Sequence, residues 1–314
     1  MRLCVTGATG FVGCAVVRGL EARGDEVVAL ARRTPVGEER SASIRWLARD
    51  LARIPDPMEG VGPVDTVVHL AARVHILREE SEEPVAEFRH VNVEATERLA
   101  LAAVAAGARR FVFVSSIGVH GSALAGPEPV VETSALDPVE PYAQSKLEAE
   151  ERLRAVATDT GIELVIVRPA VVVGAGAPGN PARLRNLIAR GLPLPVPSRD
   201  NHRSFVTLAN LVDLLIRCVA HPNAAGQAFV AAEAVWPSTR EVLGWIGEGM
   251  GRRVTRVPCP APLLRAGAAI LGQRNLYDKV FGDLLVDASK ARTVLEWSSR
   301  QPLDEAFREL GAHG

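Results

Sequence analysis

Two residues in the first half of the chain have the types and the spacing required for proton transfer. Tyr142 and Lys146 form a Tyr-x-x-x-Lys sequence within a stretch of helical character. A spacing of four places both side chains on one face of a helix. An ammonium group beside a phenol favours the phenolate and lowers the pKa of the tyrosine. The pair is therefore predicted to transfer a proton near neutral pH.

A serine at the end of an apolar run is the third candidate for this chemistry. Ser115 and Ser116 directly follow the sequence Phe-Val-Phe-Val at residues 111–114. Active sites of α/β proteins form where the strands end. A hydroxyl at that place could hydrogen-bond a substrate oxygen and share the proton of the tyrosine. Neither serine has the Gly-x-Ser-x-Gly surroundings of a hydrolase nucleophile, so a hydrolase is not indicated.

A glycine-rich segment near the start of the chain is suited to binding phosphate. The sequence Thr-Gly-Ala-Thr-Gly-Phe-Val-Gly at residues 6–13 follows an apolar run and opens a helical pattern. Glycines permit the tight turn and the close approach of the backbone, and a helix N-terminus attracts anions. The segment predicts a dinucleotide site, whose residues here are Gly7, Thr9, Gly10, Phe11, Val12 and Gly13.

These groups must be positioned by strands and helices, which the sequence shows as apolar runs that alternate with helical patterns. Buried strands are predicted at residues 3–6, 27–30, 67–70, 111–115 and 164–167, and helices at 11–23, 87–106 and 142–158. This order predicts an α/β fold with a doubly wound parallel sheet of the Rossmann type.

The chain changes character after residue 169. Segments 174–179 and 192–197 are rich in Gly and Pro and are predicted to be irregular, and further helices are predicted at 208–220, 240–249, 262–272 and 288–295. A dinucleotide-binding domain is predicted at residues 1–170, rejoined by about 204–230. Residues 171–203 and 231–314 are predicted to form a smaller, mixed substrate-binding domain.

Composition excludes several classes of function. The net charge of −1 and an aromatic fraction of 4% disfavour nucleic-acid binding. The four cysteines and seven histidines show no metal-ligand spacing, so no metal site is predicted. No apolar stretch is long enough for a membrane span. We expect no membrane insertion and a cytoplasmic location.

The spacing of the glycines and the later motifs resemble the extended short-chain dehydrogenases/reductases. Within them the chain looks most like nucleotide-sugar epimerases and 4-keto reductases. The segments that carry this resemblance are residues 69–72, 111–121, 141–146, 168–169, 203–213 and 287–297.

The resemblance implies roles for individual residues. It implies Ser116, Tyr142 and Lys146 as the catalytic group, with Ser115 near the nicotinamide. Further residues implied at the cofactor site are Asp50, Leu51, Leu70, Ala71, Ala72, Asn92 and Pro169, to which the catalytic Tyr142 and Lys146 are added. In the family an asparagine like Asn92 braces the active-site helix or its water.

The end of the second strand bears on the choice of cofactor. A site for NAD usually carries an acid there, whereas this chain has Arg32 and Arg33. Two guanidinium groups suit a 2′-phosphate. The sequence therefore favours NADP(H), with NAD(H) as the alternative.

The resemblance also indicates a nucleotide-sugar substrate. It implies that Asn180 and Arg203 contact the diphosphate. His120 stands where the family often has tyrosine, and it either lines the sugar pocket or is an ordinary residue at the end of a strand. A second arginine of the family pattern is replaced by Val280-Phe281. Arg274 and Lys279 are the candidates to replace it. Residues 94–106 and 142–156 are implied to form the four-helix interface of a homodimer.

The residues after Ser116 limit the reactions of the family that this chain could catalyse. A sugar dehydratase of this family would have an Asp-Glu pair there, whereas this chain has Ile117 and Gly118. The favoured function is an NADP(H)-dependent reductase of a nucleotide-linked 4-keto sugar, with Tyr142 as proton donor. An NAD-dependent UDP-sugar 4-epimerase is the first alternative. Other carbonyl reductases and a noncatalytic NADP(H)-binding scaffold are the remaining ones.

Overall fold

A parallel sheet of seven strands forms the centre of the computed structural model, which describes residues 1–35, 43–74, 84–270 and 274–313. The strands in the described residues are β1 (Arg2–Thr6), β2 (Glu26–Ala31), β3 (Ile44–Ala48), β4 (Thr66–His69), β5 (Arg110–Val114), β6 (Glu163–Pro169), β7 (Val171–Val173), β8 (Leu194–Pro197), β9 (Phe205–Thr207), β10 (Ala228–Ala231) and β11 (Arg256–Cys259). The central sheet has the order β10-β6-β5-β4-β1-β2-β3. This confirms the predicted α/β fold with a doubly wound parallel sheet.

Helices cover both faces of this sheet. The α-helices in the described residues are α1 (Phe11–Ala22), α2 (Pro84–Arg89), α3 (Ala95–Ala105), α4 (Pro141–Thr160), α5 (Asn180–Ala189), α6 (Leu208–Ala220), α7 (Thr239–Gly249), α8 (Ala261–Ile270), α9 (Arg274–Phe281), α10 (Ser289–Leu295) and α11 (Leu303–Ala312). The apolar sides of α1 and α6 form one core and those of α3 and α4 form the other. Strands covered on both faces explain the nearly uninterrupted apolar runs of the sequence.

The chain leaves the central sheet after β6 and returns to it at β10. β10 pairs in parallel with β6, with Phe229 opposite Val167. Between them lie β7 and β9, which pair with each other, and β8, which pairs with β11. A third core is built by α5, α7, α11 and the strands beside them. The division into two domains at the predicted boundaries stays a prediction.

Three local predictions differ from the structure. Residues 192–197 were predicted to be irregular, yet 194–197 form β8, which tolerates prolines because its sheet has only two strands. The predicted helix 87–106 is divided into α2, a π-helical turn at His90–Glu94, and α3. Helices α5, α9 and α11 have no counterpart among the predictions. The predicted end of another helix, Gly272, lies outside the described residues.

Candidate active site

Two glycines, in and beside the turn between β1 and α1, have no room for a side chain. Gly7 has φ +65°, and a Cβ there would lie 2.7 Å from the backbone N of Ala71. A Cβ at Gly13 would lie 2.1 Å from the carbonyl O of Gly7. Within the described residues no side chain caps α1 at Gly10, so its first N–H groups are available to an anion. The turn therefore fits the pyrophosphate of a dinucleotide.

A cavity of about 700 Å³ opens beside this turn. Four strands, β1 to β4, end at it, and the segments that follow them supply most of its lining. The predicted cofactor-binding residues on this lining are Gly7, Thr9, Gly10, Arg32, Asp50, Leu51, Leu70, Ala71 and Ala72. The structure therefore brings together residues that are up to 65 positions apart, as Gly7 and Ala72 are.

A group of arginines lies at one end of the cavity. Arg32 and Arg33 are exposed. Together with Thr9, Asp50 and Arg53 they line an adjoining cavity of about 540 Å³. The Arg53 guanidinium lies 3.5 Å from the Asp50 carboxylate. The place where β2 ends therefore carries positive charge and no acid of its own.

Some predicted cofactor residues lie outside this lining. Phe11 packs against the third core and Val12 against the core between α1 and the sheet. Gly13 is buried in the first turn of α1, where it permits the close packing just described. Pro169 ends β6. These four residues therefore lie in the elements that support the site and not on the lining of its cavity.

Ser116 and Tyr142 lie where β5 ends and α4 begins. The Ser116 hydroxyl accepts a hydrogen bond of 3.1 Å from the backbone N of Gly118. A Cβ at Gly118 would lie 3.3 Å from that hydroxyl and 3.4 Å from the Cβ of Ala143, the neighbour of Tyr142. The Tyr142 ring meets the edge of Phe88 with the ring centroids 6.3 Å apart.

Lys146, one helical turn after Tyr142, is buried. Its Nζ lies 4.2 Å from the centroid of the Phe113 ring. Burial lowers the pKa of Lys146 to about 7, and the Glu150 carboxylate opposes this shift. Burial, and then the charge of Lys146, lower the pKa of His69 to about 3, so this imidazole is neutral. Lys146 can thus gain or lose a proton near neutral pH.

The pKa of Tyr142 differs from the expectation based on the sequence. Burial raises it to about 12 instead of the lysine lowering it. Desolvation of the buried phenol, which disfavours the charged phenolate, is the cause of this shift. The phenol is therefore protonated at neutral pH and is a proton donor.

The sequence matches the NAD dependent epimerase/dehydratase family over residues 3–232, which include β1 to β10. The chain belongs to this family. Membership confirms the resemblance to extended short-chain dehydrogenases/reductases and the expectation of an NAD(P)-dependent enzyme of the oxidoreductase/epimerase type.

Curated relatives extend over nearly the whole chain. A UDP-glucose 4-epimerase of Vibrio cholerae is 34% identical over 308 residues, covering 98% of this chain and 93% of the relative. A dTDP-6-deoxy-L-talose 4-dehydrogenase (NAD(P)(+)) of Kitasatospora kifunensis is 30% identical over 325 residues, covering 98% and 94%. The function of this chain is accordingly of the nucleotide-sugar epimerase/dehydratase type.

Solved structures have the same fold. MoeE5 in complex with UDP-glucose and NAD has a TM-score of 0.78 and 26% identity, with 99% of this chain and 97% of that chain covered. The UDP-glucuronic acid 4-epimerase from Bacillus cereus in complex with NAD also has a TM-score of 0.78, at 18% identity, with 98% and 97% covered.

A buried ion pair holds the helix of this epimerase/dehydratase-family site against the sheet. Arg168 of β6 donates two hydrogen bonds to the Glu150 carboxylate of α4, at 3.0 Å and 2.6 Å. Arg154 donates to the same carboxylate at 2.9 Å. The arginine contacts lower the pKa of Glu150 despite its burial. Ser115 lies beside this pair, and its hydroxyl contributes to the same shift.

That His120 lines a sugar pocket stays a prediction, and the structure shows this residue in the core. Its side chain is fully buried. Nδ1 donates to the carbonyl O of Ala135 at 3.1 Å, so Nε2 is the acceptor for Arg168 Nη1 at 3.2 Å. Burial and the charge of Arg168 lower the pKa of His120, which keeps the ring neutral. His120 therefore supports the ion pair of Arg168.

Asn92 braces the active-site helix. It is buried in the π-helical turn between α2 and α3. Its Nδ2 donates to the Ser145 hydroxyl at 2.9 Å and to the carbonyl O of Arg73 at 3.0 Å. Its Oδ1 accepts from the backbone N of Arg73 at 2.7 Å. Asn92 thus connects α4 to the cavity, where Arg73 is part of the lining.

Asn180 and Arg203 line one apolar cavity away from the glycine turn. Phe205, Thr239 and Val280 are also on its lining. Burial lowers the pKa of Arg203 to about 10, against the charge of Asp283, and its guanidinium donates to the carbonyl O of Gly282.

Val280, which stands where the family pattern has its second arginine, is an apolar residue on this lining. The side chains of Arg274 and Lys279, the candidates to replace that arginine, lie outside the described residues.

Two residues of this site were missed by the sequence reasoning. Glu150 lies four positions after Lys146, and that spacing could have marked it as sharing the catalytic face of α4. Arg168 follows four apolar residues, and a charge in such a buried strand requires a partner. In the described residues no group of three or more His, Cys, Asp or Glu could hold a metal ion. Among the helices described, none could cross a membrane.

Proposed function

We propose that the chain is an NADP(H)-dependent reductase that acts on the 4-keto group of a nucleotide-linked sugar. The observation that carries this proposal is the arginine group at the end of β2. Arg32 and Arg33 adjoin Thr9 of the glycine turn in one cavity, where a 2′-phosphate on the adenosine ribose would require cations.

The residues at the end of β5 and the start of α4 have complementary parts in such a reduction. The dinucleotide, when bound, supplies the hydride. Tyr142 donates its phenolic proton to the oxygen at C4 of the sugar, and its raised pKa keeps that proton on the phenol before the transfer. Ser116 holds that oxygen by a hydrogen bond. Lys146, buried one turn away, provides a positive charge that stabilises the tyrosinate left after proton donation.

The second cavity is proposed for the nucleotide diphosphate. Arg203 has a guanidinium that is largely desolvated, and such a group binds phosphoryl oxygens strongly. Asn180 stands at the N-terminus of α5, a position that favours anions. The relatives named above act on UDP-glucose or on a dTDP-linked deoxysugar, which supports a nucleotide sugar as the substrate class.

An NAD-dependent UDP-sugar 4-epimerase is the second candidate. The Vibrio cholerae relative, at 34% identity, has that activity by name, and MoeE5 binds NAD. An epimerase keeps its cofactor through each turnover, whereas a reductase exchanges it. The two functions therefore differ in what the purified protein retains and consumes.

The first experiment identifies the cofactor. Protein freshly purified is denatured, and the released nucleotide is identified by mass. We expect an empty site that binds NADPH more tightly than NADH. An Arg32→Ala/Arg33→Ala variant should lose about tenfold to a hundredfold in NADPH affinity while NADH affinity is unchanged. Arg18→Ala, which removes an exposed arginine of α1, is the matched control. Retention of stoichiometric NAD would favour the epimerase.

The second experiment separates the reactions. A panel of nucleotide-linked 4-keto sugars is supplied with NADPH, and UDP-glucose is supplied without added reductant. Oxidation of one NADPH for each keto sugar consumed supports the reductase. Conversion of UDP-glucose to UDP-galactose would refute it. Tyr142→Phe should abolish turnover and retain cofactor binding, and unchanged turnover would contradict the proposed proton donor.

Two further features belong to this proposal. The chain is proposed to form a homodimer through α3 and α4, on which Leu101 is an exposed apolar side chain. It is proposed to act in the cytoplasm, because its four cysteines are free, as is usual in a reducing compartment. Sedimentation equilibrium of the wild type and of Leu101→Glu tests the dimer, which the variant should weaken.

A further inference from the structure

The segment that follows β3 forms one wall of the cofactor cavity. All of residues 49–53, here called the β3 loop, line the cavity of about 700 Å³. The sheet order places β1, β2 and β3 side by side. A dinucleotide lays its pyrophosphate at the end of the first strand and its adenosine ribose at the end of the second. The β3 loop, one strand further along, is therefore the wall next to the adenine.

Arg98 of α3 is hydrogen-bonded to the backbone of the β3 loop. Its Nη2 donates to the carbonyl O of Leu51 at 3.0 Å and to the carbonyl O of Ala52 at 3.4 Å. The backbone N of Ala52 donates to Asp50 Oδ1 at 3.2 Å. The peptide group that joins Leu51 to Ala52 is thus held at both ends, its carbonyl by Arg98 and its N–H by Asp50.

The Asp50 carboxylate can still bind a ligand within this turn. Its Oδ1 accepts from Ala52, and its Oδ2 lies 3.5 Å from the Arg53 guanidinium. A carboxylate has about four acceptor positions, so it can accept a further hydrogen bond, for example from the amino group of adenine. The direction in which Asp50 offers this acceptor depends on the turn that Arg98 holds.

The other contacts of Arg98 do not account for its presence through stability alone. Arg98 is half-buried and makes no ion pair within the described part of the chain. Its Nε is buried without a hydrogen-bond partner there. A buried donor left unpaired costs free energy, which offsets part of what the two carbonyl contacts contribute. The contacts therefore favour a role in the shape of the β3 loop.

We propose that Arg98 is a positioning residue for the adenosine half of the dinucleotide. By holding the carbonyl groups of Leu51 and Ala52, it keeps the β3 loop in the conformation that places Asp50 at the adenine. A loop that is ordered before binding loses less conformational entropy when the cofactor enters, so the affinity is higher. This role rests on the dinucleotide site proposed above. It does not rest on the choice between NADP(H) and NAD(H), because both carry the same adenine.

Two other roles of Arg98 would give different results in a binding experiment. If Arg98 only joined α3 to the loop as part of the fold, its loss would weaken the binding of every ligand of the cavity. If its guanidinium contacted the dinucleotide directly, its contribution to affinity would be independent of Asp50. The position of Arg98 on the adenosine side of the cavity allows these roles to be separated by testing each half of the cofactor.

The test measures the binding of whole cofactors and of their halves to the full chain by calorimetry. Arg98→Met should lose about tenfold in affinity for NADPH and for NADH alike. AMP, the adenosine half, should lose the same factor, whereas reduced nicotinamide mononucleotide should bind as it does to the wild type. Equal losses for both halves, or an unchanged affinity for AMP, would overturn the proposal. A wild type that prefers NADH would refute the NADP(H) assignment and leave this comparison intact.

A second comparison asks whether Arg98 acts through the β3 loop. The Arg98→Met/Asp50→Ala double variant should lose little more affinity for AMP than Asp50→Ala alone, because both substitutions act on the same turn. Additive losses would mean that Arg98 contacts the cofactor on its own account, and they would overturn the positioning role.

The matched control is Arg152→Met. Arg152 of α4 is 51% exposed, and its Nη1 lies 3.6 Å from the carboxylate of Glu97, the neighbour of Arg98 on α3. This variant should bind both halves of the cofactor as the wild type does. Arg98→Lys keeps the charge and can donate to one carbonyl group, so it should lose less affinity than Arg98→Met. It replaces Arg98→Met in both comparisons if circular dichroism shows that variant unfolded.

Discussion

Replacement of Lys146 by Met should stabilise the protein while it abolishes turnover. The ammonium group is buried, and its principal contact is the Phe113 ring. Methionine has a similar length, carries no charge and adapts to irregular cores. The substitution therefore removes the cost of burying a cation with little change in packing.

The expected gain in the free energy of unfolding follows from the pKa of Lys146. Its fall from 10.5 to about 7 corresponds to about 5 kcal/mol of disfavoured charge at and below pH 7. Because the unfolded state binds the proton more tightly, this cost is complete below pH 7 and disappears as the pH rises toward 10.5. At pH 9 about 2 kcal/mol remains. The gain in stability should thus fall by about 3 kcal/mol between pH 7 and pH 9.

The assay is denaturation of the protein without cofactor by urea at both pH values, with the free energy of unfolding extrapolated to water. Lys290→Met is the matched control. Lys290 is half-buried over the Phe229 ring and donates to the carbonyl O of Ala228. The Lys290→Met substitution should not raise the free energy of unfolding. A Lys146→Met variant that is less stable than the wild type at pH 7, or whose gain does not vary with pH, would refute the reasoning.

Three other substitutions test the frame of the site. Gly13→Ala places a Cβ 2.1 Å from the carbonyl O of Gly7 and should reduce cofactor affinity at least tenfold by calorimetry, whereas Gly267→Ala, with open space around it, should not. Glu150→Gln leaves Arg168 buried without its counter-charge and should cost about 3–5 kcal/mol in urea denaturation. Asn92→Ala removes three hydrogen bonds and should cost about 1–3 kcal/mol by the same assay, with slower turnover because α4 loses its brace.

Bounds for five of the seven strands of the central sheet, all except β3 and β10, could be predicted from the sequence because their signals are local. Its buried strands are short apolar runs, and the glycine turn lies between a strand and a helix as the motif requires. The convergence of β1 to β4 at one cavity follows from parallel pairing. The grouping of the residues around the glycine turn could therefore be predicted from the sequence alone.

The parts that were missed depend on contacts between distant segments. β8 exists because β11, some 60 residues later, pairs with it, which outweighs the turn preference of its prolines. The pKa of Tyr142 depends on how deeply the ring is buried, which the spacing to Lys146 does not contain. His120 has its position because Arg168 needs an acceptor in the core. Burial and pairing of this kind are fixed only by the complete fold.

Because β10 joins the central sheet late in the sequence, the chain exposes unpaired surfaces while it is being synthesised. β6 ends at Pro169 and its partner β10 begins at Ala228, so a growing chain carries an open edge on β6 while the intervening residues are synthesised. Over the same interval α1 lacks α6, whose Ile216 packs within van der Waals reach of Gly19. A nascent chain stalled near residue 170 would expose both surfaces and tend to aggregate. The shortest fragment able to fold around the cofactor cavity therefore extends through β10.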